Sequence, residues 1–186
     1  MDSSWFSFGN WQTFLPTLIA TFLGVFLSFS LFRWWKQKQN RALASKAKQA
    51  ILEELHENKK LLEHLCNMLE GAKRKSAVQY NIPHRLKTRA CDNAFRRNQV
   101  RFLGDVKLQD EIAYYTQQGQ FLNERMRVYE EFVSHNFAAI FREEGHIPRY
   151  QEREWARIQG EDIKKEAAET MRQVNNLIDR LKGLTP

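Results

Sequence analysis

Residues 14–32 read FLPTLIATFLGVFLSFSLF, nineteen positions without one charged side chain. At ~1.5 Å per residue a helix of that length covers about 28 Å, the thickness of the hydrocarbon layer of a bilayer. Trp5 and Trp11 precede the stretch and Trp34 and Trp35 follow it, the placement of aromatic rings at two headgroup levels. The stretch therefore predicts a single membrane-spanning helix.

Its flanks predict the orientation. Arg33, Lys36, Lys38, Arg41, Lys46 and Lys48 follow the apolar stretch with no acid among them, whereas Asp2 is the only charged side chain before it. Basic flanks stay on the cytoplasmic side, so residues 34–186 are expected in the cytoplasm and the N-terminus outside a cell (inner) membrane. A cleaved signal carries the opposite charge order and a small-residue cleavage site, which bulky Leu31, Phe32 and Trp34 do not supply. The expected division is an extracytoplasmic N-terminus (1–13), a span (14–32), a basic juxtamembrane helix (33–48) and a cytoplasmic helical domain (49–186).

Within the span Ala20, Gly24 and Ser28 recur every four residues beside Thr17 and Thr21. Such a strip lets two spans approach closely and makes a homo-oligomer one expectation. The alternative is that small residues are common in spans, with Thr and Ser bonding their own backbone.

No glycine or proline lies between Gly24 and Gly71, so the span is expected to continue into a cytoplasmic helix ending near Lys75 and reaching ~60 Å beyond the membrane. Its seam is Ile51, Leu55, Asn58, Leu62, Leu65, Leu69 and Ala72, alternating four and three as a left-handed helical contact requires. After a loop with Asn81 and Pro83, His84 to Leu103 reads as a second helix with Leu86, Ala90, Ala94 and Phe95 as a weak apolar side. Gly104-Asp105 stops that element and caps a third helix, expected to reach Arg142 on Leu108, Ile112, Tyr115, Gly119, Leu122, Met126, Tyr129, Val133, Asn136 and Ile140. Gly145 to Pro148 breaks it, and a last helix runs from Arg149 to Leu184 on Ile163, Ala167, Thr170, Val174, Leu177, Leu181 and Leu184. No alternating stretch bounded by turn residues is present. The fold class is all-α: one transmembrane helix, then an antiparallel bundle of three to four long helices with coiled-coil-like packing.

Glu54-Leu55-His56-Glu57-Asn58 followed by Leu61 and Leu62, and Tyr114-Tyr115 through Phe121-Leu122-Asn123, resemble a pattern in uncharacterised bacterial single-span proteins with helical cytoplasmic domains. The resemblance covers most of residues 50–125. It implies an anchored helical domain and carries over no activity, cofactor or site residue.

The net charge of +7 is concentrated. Residues 33–48 hold six basic side chains, which topology and anionic headgroups account for. Residues 73–101 hold nine more, Lys73, Arg74, Lys75, Arg85, Lys87, Arg89, Arg96, Arg97 and Arg101, against Asp92 alone. A straight first helix places Lys75 several Debye lengths of about 8 Å from the bilayer, which favours an acidic protein over lipid as partner. The competing reading is internal: Lys73 to Lys75 complement a helix C-terminus, and Arg85 to Arg101 pair with acids inside the bundle. Nucleic acid is not the expected partner, because Tyr80 and Phe95 are the only aromatics among these residues and no duplex-binding motif is present.

Chemistry finds little footing. Glu53-x-x-His56 and Glu143-x-x-His146 have the spacing of a two-metal bundle site. However, Glu53 and His56 point off the seam, and His146 falls in the break. Ser134-His135, Cys66 near His64 and Cys91 beside Asp92 are sequence neighbours that point apart on a helix. The two cysteines lack Cys-x-x-Cys spacing, so neither a disulfide framework nor a zinc site is suggested. Asn58 and Asn136 at seam positions read as devices fixing helix pairing, with a polar pocket beside Tyr115 and Tyr129 as the alternative. The expectation is a non-enzymatic, membrane-anchored scaffold without cofactor or metal that binds an acidic partner through residues 73–101. A homo-oligomeric effector or pore component assembled through its span is the alternative.

Overall fold

The computed structural model describes residues 11–74, 85–97, 99–103, 105–136 and 150–184, and every regular element among them is helical. In order these are α1 (Trp11–Arg74), α2 (Arg89–Arg96), a 3₁₀ turn (Val100–Leu103), α3 (Val106–His135) and α4 (Tyr150–Gly183). The chain divides into two compact units, Met1–Ala42 and Leu43–Pro186.

In the first unit every described residue from Phe14 to Gln39 is exposed. Their apolar side chains form the one helix among the described residues that is long and apolar enough to cross a membrane. The Thr21 hydroxyl donates to the Thr17 carbonyl at 2.8 Å, the local bond that lets a hydroxyl sit in apolar surroundings. The Lys38 ammonium lies 5.4 Å from the Trp34 ring centroid.

The second unit is built on the seams that the four-three spacing predicts. On α1, Ile51, Leu55, Asn58, Leu62, Leu65 and Leu69 are buried. On α3 the same holds from Leu108 to Val133, Gly119 included. On α4, Ile163, Ala167, Thr170, Val174, Leu177 and Leu181 join Ala156 in the same core. Each buried leucine or isoleucine contributes about 2 kcal/mol. Asp105 opens α3 as expected, its carboxylate accepting from the Lys107 N–H at 3.0 Å. Asn136 closes it: its N–H and side chain both donate to the Phe132 carbonyl, at 3.0 and 2.9 Å. It is thus a C-terminal cap rather than a buried seam amide, and Ala72, Ile140 and the stretch to Arg142 lie outside the described residues or side chains.

Ion pairs fasten α4 to its neighbours. Arg180 pairs with Asp105 and Glu111, and Arg125 pairs with Glu166 and reaches Asp162 at 3.7 Å. The Phe132 and Trp155 rings are 3.9 Å apart between centroids. Towards α1, Lys48 donates to the Leu184 carbonyl at 2.5 Å and Lys164 lies 3.7 Å from Glu70. In both sets residue numbers rise along one helix as they fall along the other, so the packed stretches run antiparallel.

The expected second helix is corrected. Arg85 to Thr88 is not helical, α2 covers only Arg89–Arg96, and Val100–Leu103 is a 3₁₀ turn. The physical reason is a competing set of partners: side chains from α1 and α3 bind the backbone groups that a longer helix would have paired internally.

Candidate functional site

The segment from Arg85 to Leu103 carries six of the nine basic residues of the 73–101 block, and a buried asparagine, Asn58, and a part-buried one, Asn123, position it. Asn58 of α1 accepts from the Lys87 N–H at 2.8 Å and donates to the Lys87 carbonyl at 2.5 Å. Its amide also donates to the Tyr115 hydroxyl at 2.6 Å. Asn123 of α3 does the same for Leu86, accepting from its N–H and donating to its carbonyl, both at 2.8 Å. Two consecutive residues are thus held from two helices by carboxamides that satisfy one N–H and one C=O each. Gly119 leaves room for this strap: a Cβ there would lie 3.2 Å from Thr88 Cγ2 and 4.0 Å from Leu86 Cδ1.

A third side chain fixes the start of α2. Thr88 stands at the N-cap without a side-chain cap bond, and Glu54 of α1 takes the role from across the core. Its carboxylate accepts from the Ala90 N–H at 2.6 Å and the Cys91 N–H at 3.2 Å. A buried carboxylate is tolerable there because the helix N-terminus supplies both donors and a favourable dipole. Cys91 sits beneath it as an inert thiol: burial, then the Glu54 charge, push its pKa far above 9.0. Burial likewise raises the Tyr115 hydroxyl, against the lowering effect of its Asn58 hydrogen bond. Tyr129 is pushed up to about 12 by burial. Asn58 and Tyr115 therefore serve the strap.

The basic residues separate into two groups. Arg85 is ion-paired with Glu130 of α3, and Lys87 lies 2.7 Å from Glu57 of α1. Arg89, Arg96, Arg97 and Arg101 are exposed, and their side chains pair with no acid among the described residues. On α2, Cys91 and Ala94 face the core, so Arg89, Asn93, Arg96 and Arg97, at helical spacing, share the opposite face. The internal reading of the basic block holds for Arg85 and Lys87; for the other four no acid is placed opposite among the described residues. Lys73 and Arg74 lie on the last turn of α1, with their side chains and all of Lys75 outside the described residues.

Among the other candidates, Ala20, Gly24 and Ser28 are all exposed, and a Cβ on Gly24 would meet nothing within 4 Å. Glu53 and His56 are exposed, the His56 ring bonding the Leu52 carbonyl at 2.7 Å. Glu143 and His146 fall outside the described residues, and among those described no three metal-binding side chains gather. Ser134 and His135 are exposed, and the His135 ring bonds the Glu131 carbonyl at 2.7 Å.

In the sequence Glu54 and Asn123 stood out only as members of the resemblance pattern, with no site role. Both stand next to seam leucines, Leu55 and Leu122, where a polar residue is placed to reach across a helix boundary. No family model matches the chain, and no match is found among curated proteins or solved structures.

Proposed function

We propose that the protein is a membrane-anchored helical interaction module, with residues 14–32 crossing the inner membrane, the N-terminus outside and the remainder in the cytoplasm. What supports the anchor is a long helix whose apolar face is exposed all round, far beyond the patch a water-soluble surface leaves uncovered, followed by six basic residues without an acid. In this reading the second half of α1, the 85–103 strap, α3 and α4 form an antiparallel bundle in which the strap takes the place of one full-length helix.

The function that follows is non-enzymatic binding of an acidic protein surface by Arg89, Arg96, Arg97 and Arg101. The observation that carries it is that among the described residues they have no acidic partner, on an element that Glu54, Asn58 and Asn123 hold in place. A bundle that needed these charges for its own stability would place acids opposite them, as it does for Arg85 and Lys87. Binding of this kind is fast, charge-selective and weakened by salt.

The test is co-purification of the full-length chain in mild detergent, with and without nuclease, at low and high salt. A protein partner that resists nuclease and leaves at high salt is the expected result. Capture that nuclease abolishes, or that is indifferent to salt, contradicts the reading.

A further inference from the structure

On α3, Tyr114, Phe121 and Val128 are 51%, 56% and 44% exposed and recur every seven residues, the period that aligns side chains in one row. The contacts with α4 fix where this row lies. Glu111, Arg125 and Phe132 meet Arg180, Glu166 and Trp155, and with Gln118 they form a row of the same period. Each exposed apolar residue stands three or four positions from two members of that contacting row, on the side away from the buried seam. The apolar row therefore lines the outer edge of the α3–α4 contact.

Acids flank it on both sides. On the free side of α3 stand Asp110, Gln117, Glu124 and Glu131, all exposed. Arg127 pairs with Glu124 and Glu131, and Asp110 has no ion pair among the described residues. Across the contact Asp162, which Arg125 reaches at 3.7 Å, begins a row of period seven on α4 that continues through exposed Glu169 and Asn176. Glu169 has no ion pair among the described residues. Lys165 and Arg172 lie one row further from α3, Lys165 at 3.8 Å from Asp162, and neither flanking row itself holds a lysine or arginine.

Single exposed apolar side chains are ordinary, whereas three aligned in one stripe need an occupant. Acids on both sides repel anionic headgroups, and α3 of a second copy laid on this stripe would set acid against acid. The charge pattern complements a helix whose apolar stripe has basic flanks. We propose that this face docks a basic amphipathic helix of a partner protein. The apolar stripe of that helix lies along Tyr114, Phe121 and Val128, and its lysines or arginines meet Asp110 on one side and Asp162 and Glu169 on the other. The Tyr114 and Phe121 rings add cation contacts. The α2 helix meets α3 elsewhere, at Gly119 and Gln120, and its arginine face has the opposite sign, so this proposal and the acidic-partner reading stand or fall independently.

The test titrates the full-length chain, held in nanodiscs of zwitterionic lipid, with a dye-labelled peptide of about three heptads carrying leucine at the first and fourth positions and lysine beside them. Binding that falls with salt is expected, about tenfold tighter than that of a peptide with the same residues shuffled out of heptad spacing. Phe121→Ser, and separately Asp110→Lys with Glu169→Lys, each weaken it about tenfold, one decade in Kd, at an unchanged melting temperature. Reversal of Arg96, Arg97 and Arg101 does not weaken it. Binding no greater than to empty nanodiscs overturns the proposal. So does equal binding of the shuffled peptide, or binding that neither the Phe121 nor the charge variant weakens, because such a peptide is held by charge alone or at another face.

Discussion

Asn123 holds both backbone groups of Leu86, so truncating it strands a buried N–H and C=O at once. Asn123→Ala should cost about 2–3 kcal/mol, read as a lower urea midpoint with unchanged slope. Asn123→Asp should fare little better, since a carboxylate cannot donate to the Leu86 carbonyl. The glycines separate by the same geometry. At Gly160 a Cβ would meet only ordinary contacts, the nearest 3.8 Å away at the Tyr129 hydroxyl, so Gly160→Ala should stabilise by about 0.5–1 kcal/mol through helix propensity. At Gly119 the 3.2 Å approach to Thr88, a β-branched side chain on a strapped segment, should cancel that gain, and a larger residue there should be destabilising. The thiols differ too. In the folded chain maleimide should modify half-buried Cys66 slowly, its pKa raised by burial, and leave Cys91 untouched until denaturant exposes it.

Asp105 shows how single groups act on an element, because it caps α3 and holds Arg180 of α4. Desolvation, the largest single influence, raises its pKa, but the backbone bond from Leu108, the Arg180 charge and hydrogen bond and the backbone bond from Lys107 together outweigh it and leave the carboxyl below 3.8. With the folded value depressed, its stabilisation is present above about pH 4 and is lost as pH falls through the folded value. Melting temperature against pH should therefore drop less steeply below about pH 4 in Asp105→Asn than in the wild type. The helices that these groups tie together were legible in the sequence because burial is periodic: Leu108 to Val133 and Ile163 to Leu181 lie where the four-three rhythm puts them. The strap was not legible, since its backbone partners come from residues 29 and 37 positions away. Only the polar Asn58 in an apolar seam hinted at it. The division of the basic block was equally hidden. A run of arginines does not reveal which acids will face it, and Glu130 and Glu57 belong to different helices.

For the whole molecule, an exposed apolar helix and a packed helical unit meet in one chain whose positive charge is gathered into two blocks. The account rests on the second block containing two kinds of residue. Arg85 and Lys87 are paired with acids of the fold, the first part-buried and the second exposed, each pair worth about 1 kcal/mol or less, whereas in the proposed reading Arg89, Arg96, Arg97 and Arg101 act outward. The most direct measurement compares two charge-reversed full-length proteins, Arg85→Glu/Lys87→Glu and Arg96→Glu/Arg97→Glu/Arg101→Glu, for melting temperature and for quantitative capture of acidic partners at low salt. The account predicts that the triple reversal melts like the wild type and loses the partner, while the double reversal melts lower and, where folded, keeps it. A triple reversal that retains every partner, or a folded double reversal that loses them, would contradict it.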